Sequence, residues 1–266
     1  MGYRRFVAIG DSFTEGLDDV LPTGAYRGWA DRLAGTLAAA NPGLGYANLA
    51  VRGEKAAQIR TVQVATARRL KPDLVTAVVG LNDFVRPGFD PARFRVAVDE
   101  TLAELAETGA TVLTATHPDV ARLLPLARQL RAKAQAINEI IRDRAEARGA
   151  LLLDWWSDPG TVNRLLWSPD RLHPNADGHQ FLAAGAARLL GAGAPVRNPR
   201  AGAGRDDLPT VGMADIVWLF RVGAPWILER TLRRVLGRSH LDRMAKRPFL
   251  LPVDGEVPGE ELWEIA

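Results

Sequence analysis

The chain has no cysteine among its 266 residues, which removes disulfides, thiolate nucleophiles and Cys-ligated zinc or iron–sulfur centres together. It has only four histidines and no H-E-x-x-H spacing, so neither a metal nor another cofactor is expected. No apolar run approaches the roughly 18 residues that cross a bilayer, and no integral membrane segment is expected. Met1 leads straight into an apolar strand pattern, leaving no room for a signal peptide, and a cytoplasmic location follows as the default expectation. Lysine is scarce beside arginine, and the net charge of +3 is small; it points to no nucleic-acid partner.

What is present has the balance of a globular protein: 47% hydrophobic against 24% charged residues. The length suits one domain with an appendage. Short β-type runs at Arg5 to Gly10, Tyr46 to Val51, Leu74 to Gly80, Thr111 to Thr116 and Leu151 to Asp154 alternate with helical patterns. One of these has recognisable ends, with Asp90 as cap, Pro91 opening the helix and Gly109 stopping it after Glu107. Such alternation predicts an α/β fold with a parallel sheet, whose ligands bind outside the carboxyl ends of the strands. Near residue 191 Gly, Ala and Pro displace the periodic pattern, and 192–209 reads as a linker between a domain at 1–191 and an extension at 210–266. The extension shows two helical patterns, about Met213 to Val222 and Pro225 to Leu236, then an acidic tail punctuated by proline.

Few pairings of nucleophile and base are available. The serines are Ser12, Ser157, Ser168 and Ser239, and the histidines His117, His173, His179 and His240. Ser157, Ser168 and Ser239 lie in turn-like sequence, with ordinary roles in capping. Ser12 alone follows a core strand directly, in the loop GDSFTEG framed by Gly10 and Gly16. In DRLHPNADGH, residues 170–179, Asp170 precedes His173 by three, and Pro174 is expected to open a helix. That spacing lets a carboxylate hold one imidazole nitrogen while the other takes a serine proton. Taken singly, a strand-end serine is more often structural, and a loop Asp and His are often a turn and a cap. A negative oxygen beside Ser12 needs N–H donors, which the backbone of Ser12 and Gly53 and the side chain of Asn82 can supply. On their own Gly53 also reads as a turn boundary and Asn82 as an Asx-turn. Asp11 and Thr14 are expected to hold the serine loop by bonding to its backbone, and Asp83 to support the site or form a turn. His117, at the end of the fourth strand, is a weak candidate to line the site, and beside Pro118 it reads first as a surface residue; Tyr26, Arg27 and Trp29 are weak candidates for substrate contact, with Trp29 reading first as core.

Gly10-Asp11-Ser12, Gly53, Gly80-x-Asn82-Asp83 and Asp170-x-x-His173 resemble, in order, the four sequence blocks of the SGNH hydrolases, also called GDSL-type esterases and lipases. H-P-N-x-x-G-H, His173 to His179, resembles the continuation of the last block. Phe13 stands where the family has leucine. The resemblance spans residues 1 to about 191. It implies a flavodoxin-like three-layer α/β/α sandwich that hydrolyses esters through an acyl-enzyme, without a cofactor. Ser12 would be nucleophile, His173 base and then acid, Asp170 its orienter, and Ser12, Gly53 and Asn82 the oxyanion hole. The expected partner is a small-molecule ester.

Two rivals compete with that reading. Ser12, Thr14 and Gly16 after the first strand can cradle a phosphate, as in a flavin- or phosphate-binding flavodoxin-like protein, although this leaves Asn82, Asp170 and His173 without a role. A catalytically inactive scaffold of the same fold is the other. For the extension, the amphipathic pattern Pro225, Leu228, Leu232, Val235, Leu236 needs a cover. The domain's own flank, a second copy in a homodimer and a membrane surface compete. Packing on the domain is the expectation, stabilising it without supplying a catalytic group.

Overall fold

The computed structural model describes residues 2–193, 212–225 and 244–253, apart from the side chains of Pro125 and Leu126. Six strands form one sheet: β1 Arg5–Gly10, β2 Gly45–Asn48, β3 Leu74–Val78, β4 Thr111–Ala115, β5 Leu151–Leu153 and β6 Arg247–Pro252, in the order β5-β4-β3-β1-β2-β6. The first five pair in parallel. Phe6, Val7, Ala8 and Ile9 of β1 are wholly buried, as a central parallel strand covered on both faces requires.

The helices are α1 Ser12–Glu15, α2 Trp29–Ala40, α3 Ala56–Ile59, α4 Ala65–Arg69, α5 Leu81–Val85, α6 Pro91–Ala106, α7 Val120–Leu123, α8 Arg131–Arg148, α9 Ala176–Leu189 and α10 Met213–Trp218. A π turn, Arg60–Val64, joins α3 to α4, and another, Leu219–Gly223, continues α10. Two groups pack on the sheet: α2 with α9, and α3 and α6 with α8. This is the three-layer α/β/α arrangement that the resemblance implies. Strand order reverses between β1 and β3, because the chain leaves β1 for β2 on one side and returns to β3 on the other. A doubly wound sheet opens its crevice at that point, outside the strands' carboxyl ends. Asp90 caps α6 through Ala92 and Arg93, with Pro91 in its first turn.

The extension departs from a purely helical reading. Arg247–Pro252 pairs antiparallel with β2 and makes the sheet mixed. Pro248 and Pro252 argue against a central strand, but an edge tolerates residues without an N–H. Lys246, just before β6, donates to the Glu15 carbonyl at 2.7 Å and pairs with Asp31 at 2.7 Å, tying the extension to α1 and α2. The helical pattern after Pro225, most of the linker and the acidic tail lie outside the described residues. No described helix is long and apolar enough to cross a membrane.

Candidate active site

Ser12 opens α1, and Asp11 caps that helix: its Oδ1 accepts the Phe13 N–H at 3.0 Å. Four helical residues do not persist alone in water, so α1 is held from outside. Its Gly16 packs backbone to backbone on Gly28 before α2, where a Cβ on Gly16 would stand 2.3 Å from the Gly28 nitrogen. Phe13, buried, lies 5.5 Å from the Trp155 ring and 6.3 Å from Trp167. A phenyl ring in place of the family's leucine fills this aromatic pocket; truncating it to alanine would cost about 3–5 kcal/mol.

The loop between Trp167 and Asn175 is pinned at its neck. Trp167 bridges Pro174, the Ser168 N–H donates to the His173 carbonyl at 2.9 Å, and the Asn175 N–H donates to the Leu166 carbonyl at 3.0 Å. Inside it, Asp170 Oδ1 accepts the N–H groups of Leu172 and His173 at 2.9 and 3.0 Å. This turn aims Oδ2 at His173 Nδ1, 2.6 Å away, and His173 Nε2 lies 2.9 Å from Ser12 Oγ. Residues 161 positions apart thus form one hydrogen-bonded chain from carboxylate through imidazole to hydroxyl. Pro174 does not open α9 as expected: it belongs to the bridge with Trp167, and Asn175 caps the helix by accepting the Gly178 N–H at 3.0 Å.

Asn82 Nδ2 donates to Asp11 Oδ2 at 2.9 Å, which orients the amide against the loop that carries Ser12. Asp83 Oδ2 accepts the Ala56 N–H at 2.9 Å and ties α5 to the start of α3, close after Gly53. Gly53 has φ 83°, a conformation costly for any residue with a Cβ. The N–H groups of Ser12 and Gly53 make no hydrogen bond among the described residues.

Thr14 corrects the expectation placed on it. Its buried hydroxyl finds no hydrogen-bond partner among the described residues and packs on Gly10, where a Cβ would stand 2.5 Å from it. Its carbonyl instead accepts from Asn48 Nδ2 at 3.0 Å. His117 is buried rather than exposed, with Nε2 2.9 Å from the Val79 carbonyl, and burial lowers its pKa. Trp29 lies in the core, and Tyr26 stacks under the Arg52 guanidinium at 5.1 Å.

Gln63 escaped the sequence reading. From the π turn its Oε1 accepts the Gly10 N–H at 2.9 Å while Nε2 donates to the Gly10 carbonyl and to Glu54 Oε2, each at 2.8 Å. One buried side chain thereby fixes the strand end before Ser12 and reaches the residue after Gly53. The π turn is the only local clue, since such turns gather at functional sites.

Burial opposes the Asp170 carboxylate, but the hydrogen bond and charge of His173 and two backbone N–H groups outweigh it and lower its pKa. Asp11 is the reverse case: burial pushes it up to about 6 against the Phe13 N–H, His173 and Asn82. His179, the last residue of H-P-N-x-x-G-H, accepts the Trp29 N–H on Nδ1 at 3.1 Å, and its Nε2 lies 3.0 Å from the Leu17 carbonyl that accepts its proton. Burial is the main cause that drives it down to about 4.

These two shifts act oppositely on stability. Against an ordinary 6.5, folded His179 refuses a proton that the unfolded chain accepts, so its contribution is lost as pH falls from 6.5 towards 4. Against an ordinary 3.8, folded Asp11 accepts a proton that the unfolded chain refuses, so its contribution grows as pH falls from 6 towards 3.8. Each is worth on the order of 3 kcal/mol. Asp11→Asn removes the offsetting gain, and its urea midpoint should fall between pH 6.5 and 4 much more steeply than that of the unaltered chain; parallel curves would refute the assignment.

Among the described residues, one group of side chains is close enough to hold a cation: Asp18, Asp170 and His173, whose nearest ligand atoms lie within 4.8 Å of one another. His173 already uses both nitrogens, on Asp170 and Ser12, so a cation there would compete with both bonds.

Residues 8–181 match the GDSL-like Lipase/Acylhydrolase family. No curated protein matches the sequence. Among solved structures, LAE5, an alpha/beta hydrolase enzyme from the metagenome of Lake Arreo, Spain, is 26% identical with TM-score 0.59, over 71% of this chain and 95% of its own. Axe2, an acetylxylan esterase from Geobacillus stearothermophilus, is 20% identical with TM-score 0.59, over 71% and 94%. The lipase/acylhydrolase from Enterococcus faecalis is 21% identical with TM-score 0.58, over 70% and 95%. With more than half of its length matched, the chain belongs to the GDSL-like Lipase/Acylhydrolase family.

Proposed function

We propose that the chain hydrolyses carboxylic esters through a covalent acyl-enzyme on Ser12. The observation that carries this is the continuous chain Asp170, His173, Ser12, with contacts of 2.6 and 2.9 Å. Ser12 Oγ attacks the ester carbonyl carbon as His173 Nε2 takes its proton; the tetrahedral intermediate then expels the alcohol, which receives that proton from His173. Water repeats the sequence on the acyl-enzyme and releases the acid. Asp170 keeps the imidazole in the tautomer with Nδ1 protonated and stabilises the imidazolium. The developing oxyanion is assigned to the N–H groups of Ser12 and Gly53 and the Asn82 amide.

Relatives support the reading. Axe2 is named an acetylxylan esterase, and its catalytic mutants replace a serine, an aspartate and a histidine. Ser12 retains 4% of its surface and His173 1%, so the pair is shielded from bulk water. A fluorophosphonate should add one phosphonyl group at Ser12, seen by peptide mass spectrometry, and abolish hydrolysis of p-nitrophenyl acetate. Labelling at another serine, or activity surviving full labelling, overturns the proposal.

A further inference from the structure

We propose that the segment Met213–Gly223, beyond the residues shared with the family, positions the Asp170–His173 loop through Asp215 and Trp218, which grip the two neighbours of Asp170. The proposal rests on the acyl-enzyme reading for its catalytic consequence, though not for the contact itself.

Arg171, directly after Asp170, sits at φ 57°. A side-chain-bearing residue enters that left-handed region only against steric strain, so its surroundings must hold it there. Asp215 Oδ1 meets Arg171 Nη1 at 2.6 Å, and the guanidinium lies 4.9 Å from the centre of the Trp218 ring. On the other side of Asp170, Trp218 Nε1–H donates to the Pro169 carbonyl. Asp215 is itself fixed: it is 4% exposed, and its Oδ2 accepts the Gly212 N–H at 2.9 Å as α10 begins. Arg164 approaches the same Oδ1 at 3.5 Å.

The contact is polar and directed rather than a packed apolar face. Met213 and Phe220 are 74% and 72% exposed. A cavity of about 310 Å³, lined in part by Leu123, Trp167, Trp218 and Val222, remains between helix and loop. An appendage that served only to cover hydrophobic surface would fill that cavity. This one leaves it and reaches past it to the residues flanking Asp170. Releasing Arg171 lets the turn relax, and the 2.6 Å contact from Asp170 Oδ2 to His173 Nδ1 loses its geometry. Asp215 and Trp218 touch neither Ser12 nor His173, so they are positioning residues.

The test uses the full chain with Asp215→Ala, Asp215→Glu and Trp218→Phe, the last keeping the ring and deleting its N–H. Asp215→Ala should lower kcat for p-nitrophenyl acetate ten- to a hundredfold, with KM changed less than threefold. Asp215→Glu should recover part of the loss, and Trp218→Phe should lower kcat less than Asp215→Ala. Hydrogen exchange, which needs no activity, should show the Leu172 and His173 amides exchanging at least tenfold faster in Asp215→Ala, while the β3 amides stay as slow as before. Unchanged exchange in the loop overturns the clasp. Faster exchange with unchanged kcat overturns its catalytic role, and equal acceleration in β3 shows a general loss of stability and overturns both. If the unaltered chain neither labels nor hydrolyses any ester, the acyl-enzyme reading fails while the exchange measurement still judges the clasp.

Discussion

In the Ser12→Ala variant kcat for a short-chain ester is expected to fall by roughly 10⁶, His173→Ala by a similar factor, and the double variant no further. The three outcomes belong together because the groups act as a unit. Without Ser12 Oγ, 2.9 Å from His173 Nε2, the imidazole has no hydroxyl to activate; without the imidazole, that hydroxyl has nowhere to send its proton. Neither change should unfold the protein, since Ser12 is the first residue of α1 and the cap is supplied by Asp11. Circular dichroism and the thermal midpoint should therefore match the unaltered chain. Losses that multiply in the double variant would show that Ser12 and His173 work independently, and would refute the proposed relay.

Asp170→Asn should cost roughly 10⁴ in kcat while leaving the fold intact. The direction follows from the two oxygens of Asp170. Oδ1 accepts the N–H groups of Leu172 and His173, so an asparagine must place its carbonyl there and turn its NH₂ towards His173 Nδ1. Nδ1 then accepts instead of donating, and the imidazole proton moves to Nε2, where it faces Ser12. With its proton on Nε2, the imidazole has no lone pair facing Ser12 Oγ to accept the hydroxyl proton. A kcat within tenfold of the unaltered value would remove Asp170 from the mechanism.

The polar cluster at the crevice was legible because its signals are local. Asp11 and Ser12 follow an apolar strand directly, Asn82 follows another, and Asp170 and His173 share one turn. What escaped depends on distance or on backbone shape. Gln63 sits in a stretch patterned as one helix, where a polar side chain reads as solvent-facing; only the π turn brings it onto Gly10. Arg171 carries no mark of its left-handed backbone, since neither size nor charge predicts φ. Its partner Asp215 lies across a linker without periodic pattern, so no local rule pairs them. β6 was missed because its prolines argue against a strand unless the strand is already known to be an edge.

The place of β6 also bears on how the protein is made. A chain synthesised at about 5–20 residues per second releases residue 193 from the ribosome roughly 3 to 12 seconds before it releases Pro252. Through that interval β2 has β1 on one side and an open row of backbone N–H and C=O groups on the other, the kind of edge that recruits a neighbouring nascent chain. The row closes when β6 docks, and Pro248 and Pro252, which have no N–H, make the new margin a poor template. Ribosomes that stall or terminate early would therefore release a product more adhesive than the finished protein, and chaperones that shield strand edges should matter most during the last quarter of translation.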